Sequence, residues 1–516
     1  MTSQCIRHTE LPGSSRLFAD LIYHFDKVAQ FYDHAPFELE SYKKAAKFDF
    51  PAARRAEIVK ALREQNPNNP SLEVLAMEGT VAVVTGQQVG LFSGPAYTLY
   101  KALTAVRLAR QLTSEGITAV PVFWLATEDH DLAEINQAWS FGKSNSPVGF
   151  TSTAKNPKEG PVGGIAIPDP AVAALRASLE EFPFGAEIAN LVERAYTPGA
   201  TFGDSFRKLM GELLEPYNIL FLDPMRPAIR EVMGPLLAYA ATLSGQLMAA
   251  LAVRNQQLEA AGYHAQVHVD ANTSLFFVLE DGKRMPLRKF GVDKLEDLKT
   301  RPEALSPNAL LRPVMQDYML PTVAYVGGPA ELAYFAQSQV LYHALLGRMP
   351  VIVPRAFFTV LDARADKLMQ RYSLSLADFH PGEQALKEKM AATLVPPVLA
   401  GQVDSTKASV VHSVDALIAE LNAFDPSLGK ALQKSRAKIV HQVENIGRKT
   451  ARETLRRDDR AGRDAVELSD LLYPHKHLQE RFYSILPLLA KYGPGLVETI
   501  HDAIKPSCPD HQLLVL

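Results

Sequence analysis

The chain has 516 residues, 47% of them apolar and 22% charged, with a net charge of −3. That length exceeds one compact core and argues for about three domains, and so small a net charge provides no field to hold nucleic acid or an acidic membrane. Its two cysteines, Cys5 and Cys508, lie at opposite ends outside any CxxC pair, which argues against a disulfide framework or a thiolate zinc site and fits a reducing cytoplasm.

The first residues, MTSQCIRHTELPGSS, lack the apolar core of a signal peptide. Residues 1–78 read as a helical segment packing on the core. FADLIYHFDKVAQFYD and AARRAEIVKALREQ carry apolar residues at three- and four-residue spacing, and NPNNPS (66–71) reads as a loop. VAVV (81–84) predicts a strand, AYTLYKALTAVRLARQLTSEG (96–116) an amphipathic helix closed by Gly116, and AVPVFWLA (119–126) a second strand. Continuous apolar strands joined by a helix predict a parallel sheet covered on both faces, with right-handed crossovers. NILFLDP (218–224), TVAYV (322–326) and MPVIVPR (349–355) read as further strands. AQVHV and SLFFVLEDGKRMPLR suggest a small antiparallel insertion turning at Asp281-Gly282. The expected core is 79–375, with insertions around 140–215 and 260–305.

Val232 to Val253 carry no charge over 22 residues, enough to span a bilayer. Their content of Ala, Gly, Ser, Thr and Gln, with one Pro, favours a buried helix pair. Over 383–460, Val414, Ile418, Leu421, Leu428, Leu432, Ile439, Val443 and Ile446 follow coiled-coil-like spacing around a break at Pro426, which predicts an antiparallel helical hairpin. Residues 425–460 hold ten Lys/Arg against five Asp/Glu; a solvated helix face and a phosphate-facing surface both fit. Residues 461–516 read as a helical segment returning to the core.

Three polar clusters follow predicted strands, where open α/β folds bind ligands. The first is TGQQVGLFSGP with the helix start behind it: Thr85, Gly86, Gln87, Gln88, Ser93, Gly94, Thr98 and Lys101. Unpaired N–H groups there would suit an anion; a structural turn is the alternative, and the glycine spacing fits neither a dinucleotide fingerprint nor a P-loop. The second, TEDHDLAEIN (127–136), offers Glu128, Asp129, His130, Asp131 and Asn136. Such crowding could hold a metal, orient an amine or tune His130 as a base. A helix capped by Asp129 or Asp131, with Glu134 following, is the plainer reading, and one histidine without a nearby cysteine makes a poor zinc site. The third contains Arg312, Gln316, Asp317, Gly327, Gly328 and Glu331. Arg312 could grip a carboxylate or phosphate bidentately, or pair with Asp317. Trp124 and Phe276-Phe277 are core candidates; His264, His268, His412 and His441 are assigned no role.

Taken together, VAVVTGQQVGLFSGPAYTLYKALTAVRLA, VPVFWLATEDHDLAEIN, SPNALLRPVMQDYMLPTVAYVGGPAELAYFAQ and LYPHKHLQERFYSILPLLAKYGP closely resemble the BshC family of bacillithiol biosynthesis, in the same order and across nearly the whole chain. The resemblance implies an α/β fold: a Rossmann-like parallel-sheet core related to class I aminoacyl-tRNA synthetases and nucleotidylyltransferases, small insertions, and a C-terminal antiparallel coiled coil supporting a homodimer. It also implies a cytoplasmic cysteine ligase that joins the carboxyl of cysteine to the amine of glucosaminyl-malate; a carboxylate needs activation for that step, which makes ATP, accompanied by Mg²⁺, the expected nucleotide, and the motifs predict no bound metal. The chain departs from the class I synthetases where they carry His-x-Gly-His, reading SGPAY instead, and it has no KMSKS loop. Lys101, Arg312, Arg355, Lys476 and Arg481 are then the cations available to phosphate. On this reading the TGQQ and SGP segments cradle the activated end, the 128–131 cluster holds the substrate ammonium, His130 or Asp131 takes its proton, and Arg312 meets malate carboxylates or a phosphate. A nucleotidyl-transfer enzyme acting on another small substrate, or a non-catalytic nucleotide- or thiol-binding protein, is the alternative.

Overall fold

Five parallel strands form the central sheet: β1 (Val81–Gln87), β2 (Ala119–Leu125), β3 (Leu220–Leu222), β4 (Thr322–Gly327) and β5 (Val351–Pro354), in the order β5-β4-β1-β2-β3. This is the arrangement in a computed structural model, which describes residues 3–157, 159–269, 273–287, 292–457 and 460–516. The strands are short, rich in Val, Ile and Leu, and buried almost throughout, as a sheet covered on both faces requires. Helix α1 (Tyr97–Ser114) buries Thr98 to Val106 without interruption, so it lies inside the molecule rather than along its surface.

The strand order decides where a ligand fits. From β1 the chain moves outward through β2 and β3; it then returns to the other side of β1 for β4 and β5. The loops after β1 and β4 therefore leave in opposite directions and open a crevice at the carboxyl ends of these two neighbours. Within the sheet, Thr85 Oγ1 donates to the Val326 carbonyl at 2.8 Å, stitching β1 to β4 beneath that crevice.

Two insertions frame it. The first holds an antiparallel hairpin, Gln137–Phe141 with Pro147–Thr151, followed by helices Val172–Leu179, Gly185–Ala195 and Phe202–Leu213. The second pairs Phe276–Glu280 with both Lys283–Pro286 and Leu305–Pro307. Its turn falls at Asp281-Gly282, both at positive φ (53° and 75°), the conformation a two-residue hairpin loop demands. Arg288, the end of the predicted hairpin segment, lies outside the described residues. AQVHV (265–269) forms no strand.

The uncharged stretch from Val232 to Val253 spans two helices, Pro227–Thr242 and Ser244–Ala260, bent by 76°. Among the described residues no single helix is long and apolar enough to cross a membrane. Each helix of the pair buries a face, including Met233, Leu237, Leu247 and Leu251.

The ends of the chain differ from the all-helical expectation. Ser3–Ile6 pairs antiparallel with His511–Val515, which pairs parallel with Phe357–Leu361. FADLIYHFDKVAQFYD is not continuous either: the helix Arg16–Tyr23 stops at His24 and a 3₁₀ turn follows. Between β5 and the last strand, α4 (Pro397–Phe424) and α5 (Pro426–Arg457) form the antiparallel hairpin, broken at Pro426.

Candidate functional site

The crevice is a cleft of about 590 Å³. Of the site residues singled out in the sequence, Gly86, Gln87, Gln88, Lys101, Glu128, Asp129, His130, Arg312, Gly328, Glu331, Arg355 and Arg481 line it. The polar clusters after β1, β2 and β4 thus meet at one sheet edge.

Lys101 is the buried centre. It is 1% exposed, and its Nζ donates to the Gly86 carbonyl (2.5 Å), Gln87 Oε1 (2.9 Å) and Glu331 Oε2 (2.6 Å). Burial lowers the lysine pKa, with Glu331 opposing that shift. Burial would raise Glu331, but Lys101 holds its carboxyl below the ordinary value, helped by the Gly328 N–H (2.8 Å) and the Tyr325 hydroxyl (2.8 Å). Glu331 thereby fills the N-terminus of α3 (Pro329–Leu346) with the protein's own anion. Gly86 is required where it stands, since a Cβ there would sit 2.9 Å from both Cβ and carbonyl O of Trp124 on β2.

The glycine-rich loop is a tight turn whose donors are mostly used. Phe92 and Ser93 adopt left-handed φ (52° and 73°) with Gly94 (66°), conformations that cost side-chain-bearing residues and persist only when packing enforces them. Phe92 supplies that packing against Phe150 and Tyr196. The N–H groups of Gly90, Leu91, Ser93, Gly94 and Ala96 donate to Gln88 O, Ile135 O, the Tyr196 hydroxyl, Leu91 O and Tyr483 O. The expectation of a row of free N–H groups cradling an anion is corrected by these partners. Ser93, Gly94 and Thr98 lie off the main cleft; Gly94 and Thr98 line a smaller cleft beside it, of about 300 Å³, that shares Gln87, Gln88, Tyr97 and Arg481.

The acidic loop is stabilised from three directions. Asp129 Oδ2 accepts from Gln88 Nε2 (2.9 Å), and Oδ1 accepts from the His130 N–H (2.8 Å) and lies 3.6 Å from Arg284 Nη1. Burial would raise Asp129, but His130, Gln88 and Arg284 together hold it well below the usual carboxylate range. Arg284 Nη1 also lies 3.0 Å from His130 Nδ1. Asp129 Oδ1 lies 3.3 Å from the same Nδ1; a guanidinium only donates, so the tautomer in which Nδ1 accepts from Arg284 leaves the ring proton on Nε2. His130 lines the cleft, and in that tautomer it would meet a ligand as a donor. Asp131 does not reach the cleft: it is exposed, and Oδ1 accepts the N–H groups of Ala133 and Glu134. That is the predicted cap, though it closes a turn and no helix follows. Asn136 also lies outside the cleft, its N–H donating to the Leu132 carbonyl.

In the third cluster, α2 (Arg312–Met319) opens with Arg312, whose Nη2 donates to the Tyr334 hydroxyl (2.9 Å) and Nη1 to Gln316 Oε1 (3.4 Å). Among the described residues no carboxylate lies within 4 Å of it, so the ion pair with Asp317 is absent. Asp317 is buried away from the cleft, bonded to Gln316 and the Tyr342 hydroxyl, and burial raises its pKa. Gln316 is buried behind Arg312, and Gly327 is packed under Leu332 and Tyr325. Arg355 is no free cation: its guanidinium makes a two-pronged pair with buried Glu480 (2.8 and 2.6 Å). Arg481 is exposed at the mouth of both clefts, and Lys476 lines neither.

With this geometry in hand, comparison with known proteins is informative. Residues 1–356 match the model described as "Bacillithiol biosynthesis BshC, N-terminal Rossmann-like domain". Residues 358–516 match "Bacillithiol biosynthesis BshC, C-terminal coiled-coil domain". The chain belongs to the BshC family. Similar proteins from Solibacter usitatus (52% identical, 100% of both chains), Koribacter versatilis (36%, 100% of both) and Salinibacter ruber (31%, 96% of both) each carry the name "Putative cysteine ligase BshC".

Within this BshC fold, sequence reasoning had missed several residues of the cleft. Arg284 comes from the second insertion, and only the non-local pairing of its hairpin brings it to His130. Trp124 is buried in the core, as expected, and also lines the cleft; Phe277 is only half-buried and lines it too, stacking 3.8 Å from the Arg284 guanidinium. Tyr97, Tyr325 and Tyr334 complete the wall. An aromatic rim was foreshadowed only by the tyrosines of TVAYV and ELAYF.

Proposed function

We propose that this chain is a cysteine ligase that forms an amide between the carboxyl of cysteine and the amine of glucosaminyl-malate. The observation that carries the reading is the pairing, in one cleft, of a guanidinium with no carboxylate partner among the described residues, Arg312, and a carboxylate-bearing loop, Glu128–Asp129. A reaction between an acid and an amine needs both: Arg312 takes a substrate carboxylate or a phosphate, and the acidic loop takes the ammonium. His130 presents Nε2–H to a developing negative oxygen, where a preformed donor has its greatest effect. Lys101 and Glu331 fix the floor, and the aromatic wall limits water. Holding both substrates in one cleft converts a bimolecular step into an oriented one. ATP would supply the activation of the carboxylate; Arg312 and the exposed Arg481 are the cations left to meet its phosphates.

The test is incubation of the protein with ATP, cysteine and glucosaminyl-malate. Bacillithiol with stoichiometric AMP or ADP is the expected result. Nucleotide turnover without a thiol product would support nucleotidyl transfer on another substrate. Binding without turnover would support a non-catalytic role, which the used-up N–H groups of the 88–96 loop favour.

We also propose that the chain pairs with a second copy through the hairpin. α4 against α5 half-buries Val414, Ile418, Leu421, Leu432 and Val443, while Leu417, Phe424, Leu428, Ile439 and Ile446 remain exposed. With Val398 and Leu399 at the start of α4, seven exposed large apolar residues lie along one hairpin, which suits burial against another helix surface. Light scattering of the intact chain should read twice the 56.7 kDa chain mass.

A further inference from the structure

Most carboxylate oxygens of the cleft are already taken. Glu331 Oε1 accepts from Tyr325, and Oε2 from Lys101 and the Gly328 N–H. Asp129 gives one oxygen to Gln88 and the other to the His130 N–H, beside Arg284. Glu128 differs. It is 3% exposed and lines the cleft; Oε2 accepts from the Ser306 hydroxyl (2.9 Å) and lies 3.5 Å from Arg230 Nη1. Its Oε1 is buried and has no hydrogen-bond partner among the described residues. A buried anionic oxygen without a partner is destabilising and rare in native structures. Trp124, which lines the same cleft, has a buried Nε1 that also lacks a partner among the described residues. Together they offer an acceptor carrying negative charge and a neutral donor, the complement of an ammonium with an oxygen on a nearby carbon. An α-amino acid and an amino sugar both have that pattern.

We propose that Glu128, rather than Asp129, His130 or Asp131, is the member of the acidic loop that takes the substrate's primary ammonium, through Oε1. Ser306 and Arg230 hold Oε2 and so aim Oε1. The assignment rests on the ligase reading for the identity of the amine, and Trp124 Nε1–H takes the neighbouring oxygen.

The test is calorimetric titration of the full-length protein with L-cysteine and with glucosaminyl-malate, each compared with its N-acetylated form. The wild type should prefer at least one amine over its N-acetyl form by about tenfold or more, as a charge-assisted contact predicts; the probe that discriminates identifies whose amine is held. E128Q should abolish that preference. E128D keeps a charge opposite Arg230 should E128Q not fold, and it should also abolish the preference because it withdraws the oxygen by one methylene. A folded variant retaining the wild-type preference, or a wild type that prefers neither amine, overturns the proposal. The ligase reading fails separately if the preference depends on Glu128 but no amide forms when ATP is added.

Discussion

At the scale of single residues, the contact that most constrains the chemistry is Arg284 against His130. Their nitrogens are 3.0 Å apart. Had His130 been protonated on both nitrogens, two donors would face each other, so the contact requires the Nδ1 lone pair. The prediction is a ¹⁵N spectrum of histidine-labelled protein at pH 7.5 in which His130 shows the neutral Nε2–H tautomer. R284Q should let Nδ1–H turn toward Asp129 Oδ1, now 3.3 Å away, and change that signature. A Nδ1–H signal in the wild type would sink the donor role. None of this was legible from TEDHDLAEIN. The acidic residues and the histidine were visible, but their division of labour depends on Arg284, some 150 residues later in the chain, on a hairpin whose pairing no local pattern fixes.

At the scale of elements, the sheet joining the two chain ends makes the fold sensitive to acid. His8 and His511 are buried beside it, their rings 6.4 Å apart, with the charges of Glu480 and Arg355 acting on both. Burial lowers His8 from 6.5 to about 3 and His511 to about 4, and in His8 the neighbouring His511 adds to the effect. Both are neutral when folded, while the unfolded chain takes up protons below pH 6.5. Their contribution to stability is complete above that value and is lost as pH falls toward the folded values, with a slope approaching about 1.4 kcal/mol per pH unit for each. Urea unfolding at pH 7, 5.5 and 4.5 should follow that slope, and H8L should flatten it by about half its histidine component. An H8L protein with the wild-type slope would contradict the assignment. The same elements show where sequence reading stops. The β1 and β2 strands and α1 announce themselves because their burial is local and periodic. Ser3–Ile6 and His511–Val515 are four and five residues long and become strands only by pairing across the whole chain. AQVHV has strand-like composition but no partner.

At the scale of the whole molecule, the hairpin and the core divide the work. No residue of α4 is buried, and in α5 only Gly429 and Ala451 are, so the core gains little packing from it. The cross-hairpin ion pairs Lys407–Glu444 and Arg436–Asp415 are exposed and contribute little. By contrast, the segment after the hairpin is part of the core. It supplies Glu480 to Arg355, the Tyr483 carbonyl to the start of α1, and the central strand of the terminal sheet. The two helices can be cut where they lie side by side: a Cβ on Gly447 would sit 3.4 Å from Val403 Cγ1. Replacing residues 404–446 with a linker of about four glycines spans the roughly 8–10 Å between packed helix axes. The shortened chain should keep the thermal midpoint of the core to within about 3 °C, because surface contacts alone are removed. It should also retain the amine preference of the cleft, yet scatter light as a single copy. If the core unfolds on excision, the hairpin is structural; if the shortened chain remains paired, the second copy binds elsewhere, and the exposed row from Leu417 to Ile446 is not the contact.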